Sequence, residues 1–163
     1  THDDNAHIIY AVTGSKNIHL SHSYLHDVAV THLITRGNTD NFLLEYNKFA
    51  RNGASGDTIH RDSWSATVDD NITIRYNIFE DISNTAFIGL VNGNGDAENW
   101  QIYGNVFVHT PAVTDAQVSA LIETKYASPT FVRAVNWKIY NNACCSLQIK
   151  IRWSRLMNSF WPT

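Results

Sequence analysis

Cysteine, proline and charge are scarce in this chain. Its 163 residues include three prolines and two cysteines, and the cysteines are adjacent at Cys144 and Cys145. Neighbouring cysteines bridge only with strain, so the sequence excludes a disulfide framework. Charged residues make up 17% of the chain, below the usual quarter, which excludes a highly charged disordered chain or a long exposed helix.

A basic excess and long apolar runs are also absent. The chain has 12 Lys and Arg against 15 Asp and Glu, so no surplus cation is present to neutralise phosphates, and we expect no nucleic-acid partner. No apolar run approaches the roughly 20 residues of a membrane span, and we expect no membrane partner. The chain begins at Thr1 rather than Met, which indicates a trimmed or processed N-terminus and leaves the compartment open.

Asparagine is abundant, and its positions reveal a repeat. Five segments share the pattern Asn, apolar, any, aliphatic, two variable residues, Asn or Ser, any, apolar. They span residues 17–25, 41–49, 71–79, 99–107 and 136–144. The alternating apolar positions predict a strand. The second Asn predicts a break in that strand, because Asn tolerates a left-handed backbone.

A repeat of this kind buries its apolar face only by stacking on further copies of itself. The stack predicts a coiled parallel sheet with rungs about 4.8 Å apart and four internal columns. One is a ladder of polar residues, and three are apolar. The ladder comprises Ser23, Asn47, Asn77, Asn105 and Asn142, and the apolar columns comprise Leu25, Phe49, Phe79, Phe107 and Cys144; Ile18, Phe42, Ile72, Trp100 and Trp137; and Leu20, Leu44, Ile74, Ile102 and Ile139.

Side chains that point outward from the same strands form a candidate binding surface. The column Ser21, Glu45, Arg75, Tyr103 and Tyr140 places a carboxylate beside a guanidinium, followed by two rings whose flat faces suit sugars. We therefore predict that the last four of these residues contact substrate. A surface ion pair and ordinary cross-strand packing explain the same column equally simply.

A second strand in each repeat supplies the candidate catalytic residues. With Ile34, Ile59, Ile88 and Ile122 aligned inward, one outward column holds Thr35, His60, Gly89 and Glu123, and the neighbouring columns hold Arg36 with Arg61 and Asp62 with Lys125. A slip of one residue would reverse these faces. The alternative interpretation is a surface ladder of paired charges.

The roles in this cluster follow from ordinary acid–base chemistry. His60 is the candidate general base, and Asp62 would orient it. Arg36 or Arg61 would hold a uronate carboxylate, as a lyase requires, with Lys125 nearby. A hydrolase needs two carboxylates instead, and Asp62 and Glu123 lie roughly 10 Å apart by rung spacing, slightly wide for that role.

The motifs "NITIRYNIFEDIS", "NFLLEYNKFARNG" and "NWQIYGNVFVHT" resemble those of the right-handed parallel β-helix superfamily of pectate-lyase-like proteins, over residues 5 to 144. The resemblance implies an all-β, right-handed, single-stranded parallel β-helix of about five coils over residues 1–145. It also implies an acidic polysaccharide partner, either polysaccharide lyase or glycoside hydrolase activity, and an extracellular or periplasmic location.

Metal sites have weak support in the sequence. Many lyases of this fold use calcium, for which Asp3-Asp4 and Asp69-Asp70 are candidates, although turn chemistry explains these pairs equally well. Five histidines lie near the N-terminal end, but no compact ligand spacing is present, and we predict no metal ligand and no cofactor.

The chain departs from the family at both ends. It shows no N-terminal capping helix, and residues 146–163 abandon the repeat for one further strand and a short helix that would cap the C-terminal end. The departures favour exposed coil ends and a homo-oligomer. Three functions stay open: a carbohydrate-active enzyme, a non-catalytic module that binds glycan or protein, and a truncated fragment that self-associates without activity.

Overall fold

The computed structural model describes residues 7–28, 31–35, 37–52, 63–82, 86–90, 95–110, 120–124, 126–127, 130–145 and 151–152. These residues form nineteen strands, and no helix occurs among them. In chain order the strands are β1 (His7–Ala11), β2 (Lys16–Ser21), β3 (Tyr24–Val28), β4 (Thr31–Thr35), β5 (Asp40–Glu45), β6 (Lys48–Asn52), β7 (Trp64–Ala66), β8 (Asp70–Arg75), β9 (Ile78–Ile82), β10 (Ala86–Leu90), β11 (Gly95–Glu98), β12 (Gln101–Tyr103), β13 (Val106–Val108), β14 (Ala120–Thr124), β15 (Tyr126–Ala127), β16 (Thr130–Val135), β17 (Lys138–Tyr140), β18 (Ala143–Cys145) and β19 (Ile151–Arg152).

Three parallel sheets contain most of these strands. The first sheet has the order β1-β4-β7-β10-β14-β19, the second β17-β12-β8-β5-β2, and the third β18-β13-β9-β6-β3. The chain passes through the first, second and third sheets in turn, so each passage adds one strand to each sheet. A small sheet, β11-β16-β15, contains an antiparallel pair. The all-β, parallel architecture predicted from the repeat is confirmed and is compatible with a parallel β-helix.

The predicted apolar columns form the core. Phe79 lies between Phe49 and Phe107, with ring centroids 5.1 and 4.9 Å away and nearly parallel planes. In the second sheet Leu20, Leu44, Ile74, Ile102 and Ile139 follow one another in register. In columns of this kind, each repeat buries its apolar residues against the equivalent residues of the next repeat, which a single repeat does not achieve alone.

The predicted polar ladder is also confirmed, and it lies inside the stack. Asn77 donates from its backbone N–H to Oδ1 of Asn105 at 3.0 Å, and Oδ1 of Asn77 accepts the backbone N–H of Asn47 at 3.0 Å. The same arrangement joins Ser23 to Asn47 and Asn105 to Asn142. These bonds satisfy polar groups that would otherwise be buried without partners.

The left-handed residue of each turn lies one position earlier than the sequence indicated. The strand breaks at the ladder asparagine as predicted, since β5 ends at Glu45 and β6 begins at Lys48. The left-handed conformation assigned to that asparagine is wrong, because the residue before it has the positive φ: Tyr46 at 55°, Tyr76 at 56° and Gly104 at 66°. The first Asn of each repeat is left-handed as well, as at Asn41 with φ of 58°. The ladder asparagines instead use their amides to join neighbouring rungs.

The alignment of the second strand needs a larger correction. Trp64, not Ile59, pairs with both Leu33 and Ile88, so β7 occupies the rung that residues 57–62 were predicted to fill. Trp64 is fully buried and stacks on Trp100 with centroids 5.3 Å apart. Thr35, predicted to face outward, is fully buried. The apolar volume of Trp64 outweighs the strand pattern of residues 57–62, which lie outside the described residues.

The tail contributes one strand to the first sheet. β19 pairs with β14 in parallel, with Ile151 opposite Ile122. The further strand predicted after the repeats is therefore present at Ile151–Arg152. The predicted terminal helix and the end-capping role of residues 146–163 lie outside the described residues, and the boundary at residue 145 stays a prediction.

A histidine is buried at the corner between the third and first sheets. His32 has no solvent exposure, and its Nε2 donates to the carbonyl oxygen of Ala50 at 3.1 Å. The Nδ1 atom is buried and meets no hydrogen-bond partner among the described residues. Burial disfavours the imidazolium and lowers the pKa of His32 from 6.5 to about 4.

We expect this histidine to make the fold sensitive to acid. Between pH 6.5 and 4, His32 is protonated in the unfolded chain but neutral in the folded protein. The free energy of unfolding therefore falls as the pH falls through that window, by about 3 kcal/mol in total. Burial also lowers the pKa of His109, which has the same effect on stability. It raises the pKa of Asp69, which has the opposite effect, because the folded protein then binds a proton more readily than the unfolded chain. The difference in unfolding free energy between wild type and His32→Leu, measured at pH 7 and pH 4, isolates the contribution of His32. An unchanged difference would contradict this prediction.

Candidate functional site

The outer edge of the second sheet carries a row of aromatic side chains, which we name the tyrosine strip: His22, Tyr46, Tyr76, Tyr103 and Tyr140. Consecutive rings along it have centroids 5.2, 5.3, 5.6 and 4.9 Å apart. Tyr46 and Tyr76 are about half exposed, at 50% and 46%. The strip therefore presents a continuous aromatic edge to solvent across five successive rungs.

Two different repeat positions build this strip. Tyr46 and Tyr76 occupy the left-handed turn position, whereas Tyr103 and Tyr140 end their strands one residue earlier in the pattern. In the repeat that contains Tyr103, Gly104 occupies the left-handed turn position, with φ of 66°. A Cβ at Gly104 would lie 2.7 Å from the Tyr76 ring. Glycine at this position therefore lets the Tyr76 ring pack directly against the backbone.

A chain of polar side chains runs beside the strip. Nε2 of His19 lies 2.9 Å from Oε1 of Glu45. Nε of Arg75 donates to Oε2 of Glu45 at 2.7 Å, and Nη2 of Arg75 lies 2.7 Å from the same oxygen in an ion pair. Nη1 of Arg75 donates to the Tyr103 hydroxyl at 3.1 Å. The predicted pairing of Glu45 with Arg75 is confirmed, and the four side chains join four neighbouring strands.

The electrostatics of this polar chain are balanced. Hydrogen bonds from Arg75 lower the pKa of Glu45, which keeps the carboxylate ionised. The Tyr103 hydroxyl and the carboxylate together raise the pKa of Arg75 further above its usual range. Because Glu45 neutralises Arg75, this ion pair leaves no surplus positive charge for an acidic sugar. The acidic preference rests on Arg36, Arg61 and Lys125, which lie outside the described residues.

The ring geometry changes what a ligand can touch. Tyr103 and Tyr140 are stacked with an interplanar angle of 7°, and Tyr46 and Tyr76 with 21°, so the rings cover much of each other's faces. Between the pairs, Tyr76 and Tyr103 meet edge to face at 84°. A ligand that runs along the stack meets ring edges and phenol hydroxyls, and the flat faces expected from the sequence are largely occupied.

The predicted catalytic cluster falls mostly outside the described residues. His60, Arg61 and Asp62, together with the predicted substrate contacts Arg36 and Lys125, are not described. The backbone of Glu123 pairs with Gly89 as predicted, and Ile88 pairs with Ile122. The proximity of His60 and Glu123 remains a prediction, but the register from which it was drawn is replaced, because Ser65 of β7 lies opposite Gly89 where the alignment placed His60.

The candidate calcium pair Asp69-Asp70 has structural roles. Asp69 is fully buried, and its carboxylate accepts the Thr35 hydroxyl at 2.5 Å and the Thr39 N–H at 3.0 Å. Burial raises its pKa. Oδ1 of Asp70 accepts the Glu98 N–H at 2.8 Å. Both carboxylates are thus used by the fold, and Asp3-Asp4 lie outside the described residues.

Neither a metal centre nor a membrane helix is seen in the described part of the chain. There, no group of three or more His, Cys, Asp or Glu side chains is placed to hold a metal ion. The N-terminal histidines have separate partners: His19 contacts Glu45, and His26 contacts Asp27 at 2.6 Å. The same residues include no helix long and apolar enough to cross a membrane.

Sequence reasoning missed three of the five rings of the tyrosine strip. Tyr46, Tyr76 and His22 were not assigned to it, because they precede the ladder residue at a position treated as variable. The signal that identifies them is an aromatic ring at the sixth position of three consecutive repeats. Recognising that this position is the exposed, left-handed turn would have placed these rings beside Tyr103.

Comparison of the chain with protein-family models, with curated proteins and with solved structures found no match.

Proposed function

We propose that the chain forms a right-handed parallel β-helix of about five coils and binds a polysaccharide along the tyrosine strip. The observation that carries this proposal is the continuous row of exposed rings beside hydrogen-bonding side chains. Rings with polar tips combine apolar contact with hydrogen bonding, and their two side-chain torsions cost little entropy to fix. A ligand with a repeating backbone matches a surface that repeats at every rung.

The geometry favours binding rather than chemistry at this surface. Glu45 is held by His19 on one side and Arg75 on the other, so its carboxylate oxygens already have partners. Tyr103 contributes a hydroxyl that accepts from Arg75, and its proton is left to donate to a sugar oxygen. These contacts suit recognition of sugar hydroxyls in a charge-neutral setting.

Replacing one ring of the strip is expected to weaken glycan binding about tenfold, which is the loss expected when an aromatic contact is removed. Tyr46→Ala and Tyr76→Ala test this with calorimetry on a panel of neutral and acidic polysaccharides. Tyr24→Ala is the matched control, since Tyr24 on the third sheet is also 50% exposed. Equal losses in all three variants, or no binding by wild type, would exclude the strip as the binding surface.

A second candidate function is cleavage of an acidic polysaccharide by the His60, Arg61, Asp62 and Glu123 cluster. Glu123 lies opposite Gly89 as the alignment requires, but Ser65 of β7 takes the place opposite Gly89 that the alignment gave to His60, so this candidate rests on the residue types in the sequence. Lyase activity would release an unsaturated product that absorbs ultraviolet light, and His60→Ala would abolish the signal. Binding without any product in the same panel would favour the non-catalytic module.

A further inference from the structure

A partly buried carboxylate belongs to the polar chain beside the tyrosine strip. The side chain of Glu45 is only 11% exposed, whereas those of its partners Arg75 and His19 are 34% and 52% exposed. The guanidinium of Arg75 is therefore more accessible to solvent than the carboxylate that pairs with it. A ligand on this surface meets the cation first, and the anion behind it cancels the positive charge.

Arg75 is also in direct contact with the rings of the strip. Its Cζ atom lies 5.8 Å from the centroid of the Tyr76 ring, and its Nη1 donates to the Tyr103 hydroxyl at 3.1 Å. The guanidinium is thus held between two central rings by contacts that do not involve Glu45. We expect Arg75 to keep this position when the charge of Glu45 is removed.

The charges along the second sheet are otherwise balanced. Its five strands carry three cations, Lys16, Arg75 and Lys138, and three anions, Asp40, Glu45 and Asp70. Lys16 pairs with Asp40 at 3.6 Å, at the beginning of strands whose other ends lead to the strip. Asp70 begins β8, and Lys138 lies on the last rung of the sheet. Beside the central rings, the charge that a ligand meets is therefore set by Glu45 and Arg75.

We propose that Glu45 determines which class of polysaccharide the tyrosine strip accepts: neutral chains bind, and chains that carry carboxylates are rejected. The inference rests on the proposed function of the strip. A sugar carboxylate placed beside Tyr76 or Tyr103 would lose water and meet a guanidinium that is already paired, with the charge of Glu45 opposing it. A neutral sugar presents hydroxyls to the same phenol groups without that cost.

Neutralising Glu45 tests its role. In Glu45→Gln the amide oxygen can accept from Nε of Arg75, and the amide N–H can donate to Nε2 of a neutral His19, so the contacts of the polar chain are retained while the negative charge is lost. The charge of Arg75 is then unbalanced. Affinity for acidic chains should rise about tenfold at low salt and less as salt is added, and affinity for neutral chains should stay near that of wild type.

The ligands for this test are matched pairs that differ chiefly in charge. Each neutral polysaccharide that wild type binds is compared with the same polysaccharide after carboxymethylation. Calorimetry at about pH 8, where histidine is ordinarily neutral, gives the ratio of the two affinities for each variant. His19→Arg adds a positive charge beside Glu45 from an exposed position and should give the same gain, so the test does not depend on the folding of Glu45→Gln alone.

Two further variants locate the effect. Asp40→Asn is the matched control, because it makes the same change in net charge on the same strand, and Asp40 and Glu45 lie at opposite ends of that strand. It should change the ratio of affinities much less than Glu45→Gln does. Combining Arg75→Gln with Glu45→Gln should remove the gain, since the unbalanced cation is then absent.

The outcomes separate the role of Glu45 from the function of the strip. Wild type that binds neutral and carboxymethylated chains equally, no gain in Glu45→Gln and His19→Arg, or an equal gain in Asp40→Asn would each overturn the proposal and leave the strip as a binding surface. Wild type that binds no polysaccharide would overturn both. Circular dichroism checks the folding of every variant.

Discussion

Asn77→Ala is expected to destabilise the fold by about 4 kcal/mol, because it leaves several buried polar groups without partners. Nδ2 of Asn77 donates to the carbonyls of Leu44 and Arg75, at 2.8 and 3.0 Å, and its Oδ1 accepts the backbone N–H of Asn47 at 3.0 Å. Asn77 has no solvent exposure, so water does not replace these bonds. Urea denaturation measures the loss.

The matched control is another asparagine of the same repeat. Asn71 is exposed, its Nδ2 donates to Oδ1 of Asp40 at 2.8 Å, and its φ is 55°. Asn71→Gly keeps the left-handed backbone accessible and should cost about 1 kcal/mol or less, since water reaches the groups it leaves. Similar losses for Asn71→Gly and Asn77→Ala would contradict the structural role of the inner ladder.

Phe79→Ala should cost about 3–5 kcal/mol, the usual range for removing a fully buried phenylalanine. Phe79 has no solvent exposure, and it stacks on Phe49 and Phe107 and meets Phe87 edge to face at 6.4 Å. The cavity would lie between two rungs held apart by backbone hydrogen bonds, so the stack cannot collapse to fill it.

The neighbouring residue provides the control for this substitution. Ile78 begins the same strand, points outward and is 41% exposed. Ile78→Ala should change the unfolding free energy by less than about 1 kcal/mol. A loss for Phe79→Ala no larger than for Ile78→Ala would mean that the phenylalanine column does not carry the core of the third sheet.

The repeat made much of the fold predictable from the sequence. Each repeat places the same residue type at the same position, and in-register stacking converts identical positions into columns. For that reason the asparagine ladder, the phenylalanine column and the pairing of Glu45 with Arg75 follow from aligning five segments. The alignment also placed Tyr103 and Tyr140 on one outward column of the second sheet.

The largest error, the register of the second strand, arose where the repeat is interrupted. Between β6 and β8 the sequence offers two segments for one rung, the alternating pattern of residues 57–62 and the short strand at Trp64–Ala66. Local periodicity favours the first, but a tryptophan that stacks on Trp100 and contacts Phe42 fills the interior better. Which residues fill a shared core is a tertiary property, and local pattern does not report it.

The candidate site, too, was predictable from the sequence only in part. The amino-acid sequence by itself determined that strands of this chain stack in parallel and which side chains share a rung position, because register follows from the repeat. Only the tertiary structure decided that Tyr46 and Tyr76 join the aromatic row, that the rings cover one another's faces, and that Gly104 makes room for Tyr76. Those outcomes depend on left-handed turns and on contacts between residues about 28 positions apart, as between Tyr76 and Gly104, which packing in three dimensions sets.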